Sequence, residues 1–186
     1  MHINNLMIIL FNKPFNVLSQ FTDGHIQRIT RKNLSNYIDL PDIYPAGRLD
    51  KDSEGLLILT SQGKLQQRIS NPRYKMKKTY WVQIEGKIDD KSINLLRHGV
   101  RLKDGKTRKA SVKRIDQPHN LWPRNPPIRE RKNIPDEWIE IILSEGKNRQ
   151  IRRMTAAVGY PTLRLIRVRV GDWRLDGLKT GAYKIL

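Results

Sequence analysis

The chain has no cysteine. That excludes a disulfide framework and a thiol nucleophile, and it fits a reducing, cytoplasmic setting. No apolar run approaches the ~20 residues that a membrane-spanning helix needs. The apolar piece from Leu6 to Phe11 is too short for a secretion signal and runs into Lys13-Pro14. Histidine is scarce, and His2, His25, His98 and His119 are scattered without ligand spacing, so no metal site is expected. Negative charge is also in short supply. Asp plus Glu number 18 against 36 Lys plus Arg, a net charge of +18. Such an excess opposes self-association, so a monomer is expected, and it attracts a polyanion, nucleic acid above all.

A chain of 186 residues is long enough for one domain with a substantial core, residues 1–186 being read as a single unit. Apolar or β-rich runs predict strands at Met7–Phe11, Leu56–Thr60, Thr79–Glu85, Ala110–Ile115, Trp138–Leu143 and Ala182–Leu186. Leu163 to Val170 alternates apolar and basic residues, as a half-exposed strand does. Helices are expected within Thr30–Leu40, over Lys64–Ser70, after a cap at Asp89 or Asp90 with a stop at Gly99, and over Lys147–Val158. Residues 117–136 hold five of the ten prolines, which excludes regular structure there. This loop also carries Trp122, Arg124, Arg129, Arg131 and Lys132, a mixture suited to nucleic-acid contact; a solvated surface loop is the alternative.

Two segments concentrate chemistry. Gly47-Arg48-Leu49-Asp50 opens a turn that runs through Gly55 into the apolar strand, so a carboxylate stands at a strand mouth. In Lys147–Val158, helical spacing puts Ile151, Met154, Thr155 and Val158 on one face and Arg149, Arg152 and Arg153 on the other. Three neighbouring guanidiniums repel unless a carboxylate or phosphate joins them. Glu145-Gly146 before the helix could present N–H groups to an anion. Two familiar patterns fail. Asp50 to Gly55 resembles the front of a calcium loop, but its twelfth position is Ser61. Gly105-Lys106-Thr107 resembles the end of a phosphate-binding loop, but the required glycine is Val100. Asp50 and Glu54 could form an acid/base pair for sugar chemistry, which would call for an acidic cleft rather than this basic one.

Four blocks resemble, in order, the motifs of the pseudouridine synthases, in particular their RsuA-like branch: Asn12-Lys13-Pro14 with Val17-Leu18-Ser19-Gln20, Gly47 to Thr60, Lys78-Thr79-Tyr80-Trp81-Val82, and Glu145 to Met154. The stretch Leu121 to Lys132 resembles members that modify 23S rRNA and lack the N-terminal S4 domain. The resemblance implies an α/β (α+β) fold: a central mixed, largely antiparallel sheet with flanking helices, and two abutting subdomains around a catalytic cleft. It implies isomerisation of a 23S rRNA uridine without cofactor, since no atom is gained. Asp50 would be the catalytic carboxylate, Arg152 its ion-pair partner, and Tyr80 the ring that stacks on the target base. Arg48, on the Asp50 turn, would fill the space vacated by the flipped base, and Gly47 and Gly55 would let RNA backbone approach. Lys78, Lys147, Arg149 and Arg153 would bind RNA, with Arg124, Arg129 and Arg131 of the loop. The alternative is an idle RNA-binding or ribosome-assembly protein on the same fold.

Overall fold

A computed structural model describes residues 7–23, 31–129 and 133–186. In chain order the elements are β1 (Ile8–Lys13), β2 (Tyr44–Pro45), β3 (Glu54–Thr60), α1 (Gly63–Ser70), β4 (Lys78–Glu85), α2 (Asp90–His98), β5 (Arg101–Leu102), β6 (Gly105–Lys106), β7 (Ser111–Ile115), β8 (Asp136–Leu143), α3 (Gln150–Ala157), β9 (Thr162–Val170), β10 (Trp173–Arg174) and β11 (Tyr183–Ile185). Nine strands form one sheet in the order β11-β1-β3-β9-β4-β8-β7, with β2 beside β3 and β10 beside β9. Every pairing is antiparallel except β3 with β9. Among the described residues no helix is long and apolar enough to cross a membrane.

The period-2 alternation of the strands sorts side chains onto two faces. On the front face, Val82, Ile84, Ile139, Ile141 and Leu165 pack against Ile93 and Leu96 of α2 and Ile151 and Met154 of α3. Ile9, Phe11, Leu57 and Leu59 form a second front cluster with Leu34, Ile38 and Leu49. Tyr80 touches both clusters and so stands at their seam. The back face buries Leu56, Ile58, Trp138, Ile166 and Val170 with Ile69 of α1. The all-apolar reading of β3 holds because both of its faces are covered.

The parallel β3–β9 pairing is short, joining Glu54 to Ile166 and Gly55 to Arg167. There the chains come so close that a Cβ on Gly55 would fall on the carbonyl oxygen and amide nitrogen of Arg167. Gly55 also has φ +99°, where side chains are strained. The glycine therefore serves strand contact, not the RNA approach expected of it.

Three expectations need correction. The half-exposed reading of β9 is wrong, because the strand lies inside the sheet and its arginines 164 and 167 are buried. Periodicity registers their charge but not the Glu54 carboxylate that makes the burial of Arg164 tolerable. In place of a helix around Leu34 there is a single 3-10 turn, Leu34–Asn36. Asn33 and Asn36 cap it reciprocally and satisfy the backbone locally, in competition with a longer helix. Finally, α3 begins at Gln150 rather than Lys147, because Arg149 adopts left-handed geometry (φ 45°, ψ 36°).

Gly55→Ala should destabilise the fold by roughly 1–3 kcal/mol or more, from the strained backbone alone. Urea unfolding measures this, and a midpoint equal to that of the wild type would show that β3 and β9 can separate freely.

Candidate active site

The first and second sequence blocks meet at one turn. Ser53 N–H closes it on to the Asp50 carbonyl at 3.0 Å. Ser19 Oγ donates to the Leu49 carbonyl at 2.8 Å and accepts from the Leu49 N–H at 3.1 Å. The Asn16 N–H donates to the Lys51 carbonyl at 2.8 Å. Lys13, with no exposed surface, points its Nζ at the carbonyls of Pro14 and Val17, both at 2.8 Å, and of Lys51 at 3.4 Å. The Asn12–Gln20 block thus clamps the loop that carries Asp50.

The fourth block supplies guanidiniums. Buried Glu145 accepts from the Arg108 N–H at 2.9 Å and from Gln150 Nε2 at 2.5 Å, fixing the turn before α3. Arg149, at the cap, forms a bidentate pair with Asp52 at 2.8 and 2.7 Å. It also comes within 3.8 Å of Asp50 Oδ2. Arg152 does not pair with Asp50, contrary to expectation. Its Nη2 donates to the Asp52 carbonyl at 2.6 Å and its Nε lies 3.4 Å from Asp52 Oδ2. The left-handed cap brings Arg149 within reach of both Asp50 and Asp52, whereas Arg152 meets the same turn at Asp52. Burial pushes the Asp52 carboxyl up, but Arg149 hydrogen bonds and the charges of Arg152 and Arg149 bring it below the usual carboxylate range. Arg153 faces elsewhere, paired with Asp104 at 2.7 Å, and Lys147 Nζ donates to the Asp104 carbonyl at 3.1 Å.

A cavity of about 450 Å³ opens where these pieces converge. Its walls include Arg48, Asp50, Lys78, Tyr80, Lys147, Arg149 and Arg167. The Asp50 side chain is 34% exposed, accessible yet not in bulk solvent. Glu54 is no acid/base partner for it. Glu54 lies 1% exposed on the back face, paired with Arg164 at 2.8 Å through both oxygens.

The Pro-rich loop turns out to be anchored. Trp122 Nε1 donates to Glu54 Oε1 at 2.8 Å, and Arg164 Nη2 donates to the Trp122 carbonyl at 2.9 Å. Arg124 lies 4.3 Å above the Phe15 ring and donates to the carbonyls of Pro126 and Pro127. The basic and aromatic residues at 122 and 124 are thus engaged in holding the loop. Arg129 is exposed; Arg131 and Lys132 lie outside the described residues. Sequence reasoning passed over Lys13, Asp52 and Arg167. Lys13 stood within a matched block, but only the fold shows which carbonyls it ties.

The cavity thus sets the Asp50 carboxylate among cations, beside Tyr80 at the seam of a mostly antiparallel sheet. Residues 7–157 match the family described as RNA pseudouridylate synthase, and the chain belongs to that family. It is 55% identical over 172 residues to the ribosomal large subunit pseudouridine synthase E of Xanthomonas axonopodis pv. citri (strain 306), covering 92% of this chain and 90% of that protein. It is 51% identical over 182 residues to the protein of the same name from Vibrio parahaemolyticus serotype O3:K6 (strain RIMD 2210633), covering 98% and 74%. Among solved structures, a crystal structure of a pseudouridylate synthase superposes with a TM-score of 0.81 at 26% identity, covering 100% of this chain and 72% of that one.

Burial pushes the Lys13 amine down to about 7 against the attraction of Glu54 and Asp52. Burial, then the Arg167 charge, pushes Lys78 down to about 8. Between about 8 and 10.5 the unfolded chain holds more protons at Lys78 than the folded one, so this group's contribution to stability rises with pH there. The stability of wild type relative to Lys78→Met should therefore increase across that window. Urea unfolding at several pH values tests this, and a gap independent of pH would contradict the burial of the amine.

Proposed function

We propose that this protein isomerises one uridine of 23S ribosomal RNA to pseudouridine, in the cytoplasm and as a monomer, with the described chain acting as one catalytic domain. The reading is carried by Asp50, a carboxylate lining a cavity whose other charged walls are largely cationic. A protein that only bound RNA would gain affinity by losing it. The large-subunit relatives, 55% and 51% identical, support ribosomal RNA as the substrate.

The target base must leave its stack, at a cost of a few kcal/mol. Arg48, exposed at the cavity lip, is placed to occupy the gap. The uracil would enter beside Tyr80, whose ring, held at the seam of the two front clusters, offers a stacking surface. Asp50 would then act at the ribose or at the base. Arg149, 3.8 Å away, orients it, while Asp52 absorbs the rest of the guanidinium charge. Lys147 and Arg153 extend the basic surface toward backbone phosphate, with Lys78 deeper in the cavity.

Asp50→Asn should abolish product while leaving RNA binding within a few-fold of wild type. Carbodiimide-based primer extension on a 23S rRNA fragment reads the product; its persistence in the variant would remove Asp50 from the mechanism. Arg149→Ala should reduce turnover far more than Arg153→Ala, whose partner is Asp104. Equal losses would mean that both supply only charge. Binding should weaken with salt at a logarithmic slope of ~0.7–0.9 per phosphate contacted; filter binding from low to high salt measures it, and a flat response would point away from RNA.

A further inference from the structure

We infer that Arg167 is a catalytic residue whose guanidinium hydrogen-bonds a carbonyl oxygen of the flipped uracil and stabilises the charge that builds there. This inference rests on the function proposed above. Arg167 is 3% exposed and lines the same cavity as Asp50 and Tyr80. It is the cross-strand partner of Tyr80. Its Nε donates to the Leu56 carbonyl at 2.8 Å, which fixes the plane of the guanidinium.

Its charge has no carboxylate partner among the described residues. Arg149, Arg152, Arg153 and Arg164 all have one. The contrast with Arg164 is sharp, because it lies three residues away on the same strand, equally buried, and is matched by Glu54. Lys78, two residues before Tyr80 on β4, also lines the cavity without a carboxylate partner among the described residues. Two cations on one cavity wall, one of them almost wholly buried, are costly unless the working state brings an electron-rich group to them.

Depth selects the group. Backbone phosphates can meet Arg48 and Lys147 at the rim, whereas a side chain as buried as Arg167 is reached by a base swung inward. Uracil offers the carbonyl oxygens O2 and O4, both acceptors. When N1–C1′ breaks, the bonding pair leaves with N1 and the resulting anion spreads over N1, O2 and O4, while C1′ is left electron-deficient beside Asp50. After the ring turns, a C5 electron pair forms the C5–C1′ bond, C5 loses its proton, and N1 gains one. Addition of the carboxylate at C6 would likewise load charge on O4. On either route a fixed donor at a carbonyl oxygen gains strength in the transition state.

The test pairs enzyme and substrate changes. Wild type, Arg167→Lys and Arg167→Met are assayed in single turnover on a 23S rRNA fragment carrying uridine, 2-thiouridine or 4-thiouridine at the target. Sulfur accepts hydrogen bonds poorly. Wild type should be slowed by sulfur at one position. Both variants should lose roughly 10²–10³-fold in the single-turnover rate constant, with the half-saturating enzyme concentration little changed, as when an oxyanion donor is removed. The sulfur penalty should disappear in the variants. Full sensitivity to sulfur retained in Arg167→Met, or wild-type indifference to both thio substitutions, overturns the assignment. So does a variant that keeps its single-turnover rate constant but loses one phosphate from the salt slope, which would make Arg167 a backbone contact. Should Arg167→Met fail to fold, Arg167→Lys and the wild-type thio series still decide. Absence of product from wild type on unmodified rRNA would instead refute the proposed function itself.

Discussion

The Asp52 carboxylate is the joint on which the site is assembled. Arg149 grips its two oxygens from the cap of α3, and Arg152 takes both its carbonyl and its side chain from within that helix. These contacts tie the turn preceding β3 to the helix that packs on the far half of the sheet. They also neutralise guanidinium charge locally, which leaves the neighbouring Asp50 facing the cavity with, among the described residues, a single long ion pair, to Arg149. The Asp50 carboxylate can therefore be oriented without being locked into a tight pair, a balance suited to the role proposed for it. Like charges at α3 are tolerable because they do not converge on one point: Arg153 turns away to Asp104.

Beneath that joint, the sheet itself is built to bring the two halves close. Gly55 permits β3 to press against β9, and this contact delivers Arg167 to the cavity and Arg164 to the back face. On that back face Glu54, Arg164 and Trp122 form a buried network whose polar groups satisfy one another. It fastens the Pro-rich loop to the start of β3. The loop thus has a structural function that its basic and aromatic composition did not suggest.

Much of the fold was legible from one-dimensional patterns. β3, β4, β8 and α2 follow directly from apolar runs, alternation and the Asp89 cap, whose carboxylate accepts from the Ser92 N–H. The prominence of Asp50 and Tyr80 was legible too, through motif spacing, and both line one cavity. What misled was the treatment of charge as a sign of exposure. In β9 it placed buried arginines in solvent, and in the segment before α3 it assumed helical geometry where Arg149 breaks it.

The sequence by itself determined the strong positive charge, the unusual carboxylate turn and the order of the main elements, because composition and periodicity are local properties of the chain. Only the tertiary structure decided which arginine meets which carboxylate, that Glu54 faces away from Asp50, and that Arg167 lies buried without a carboxylate partner among the described residues. The ion pairs among these join residues 97 to 110 positions apart. A sheet register and one left-handed residue settle them, and neither leaves a trace in hydrophobic pattern.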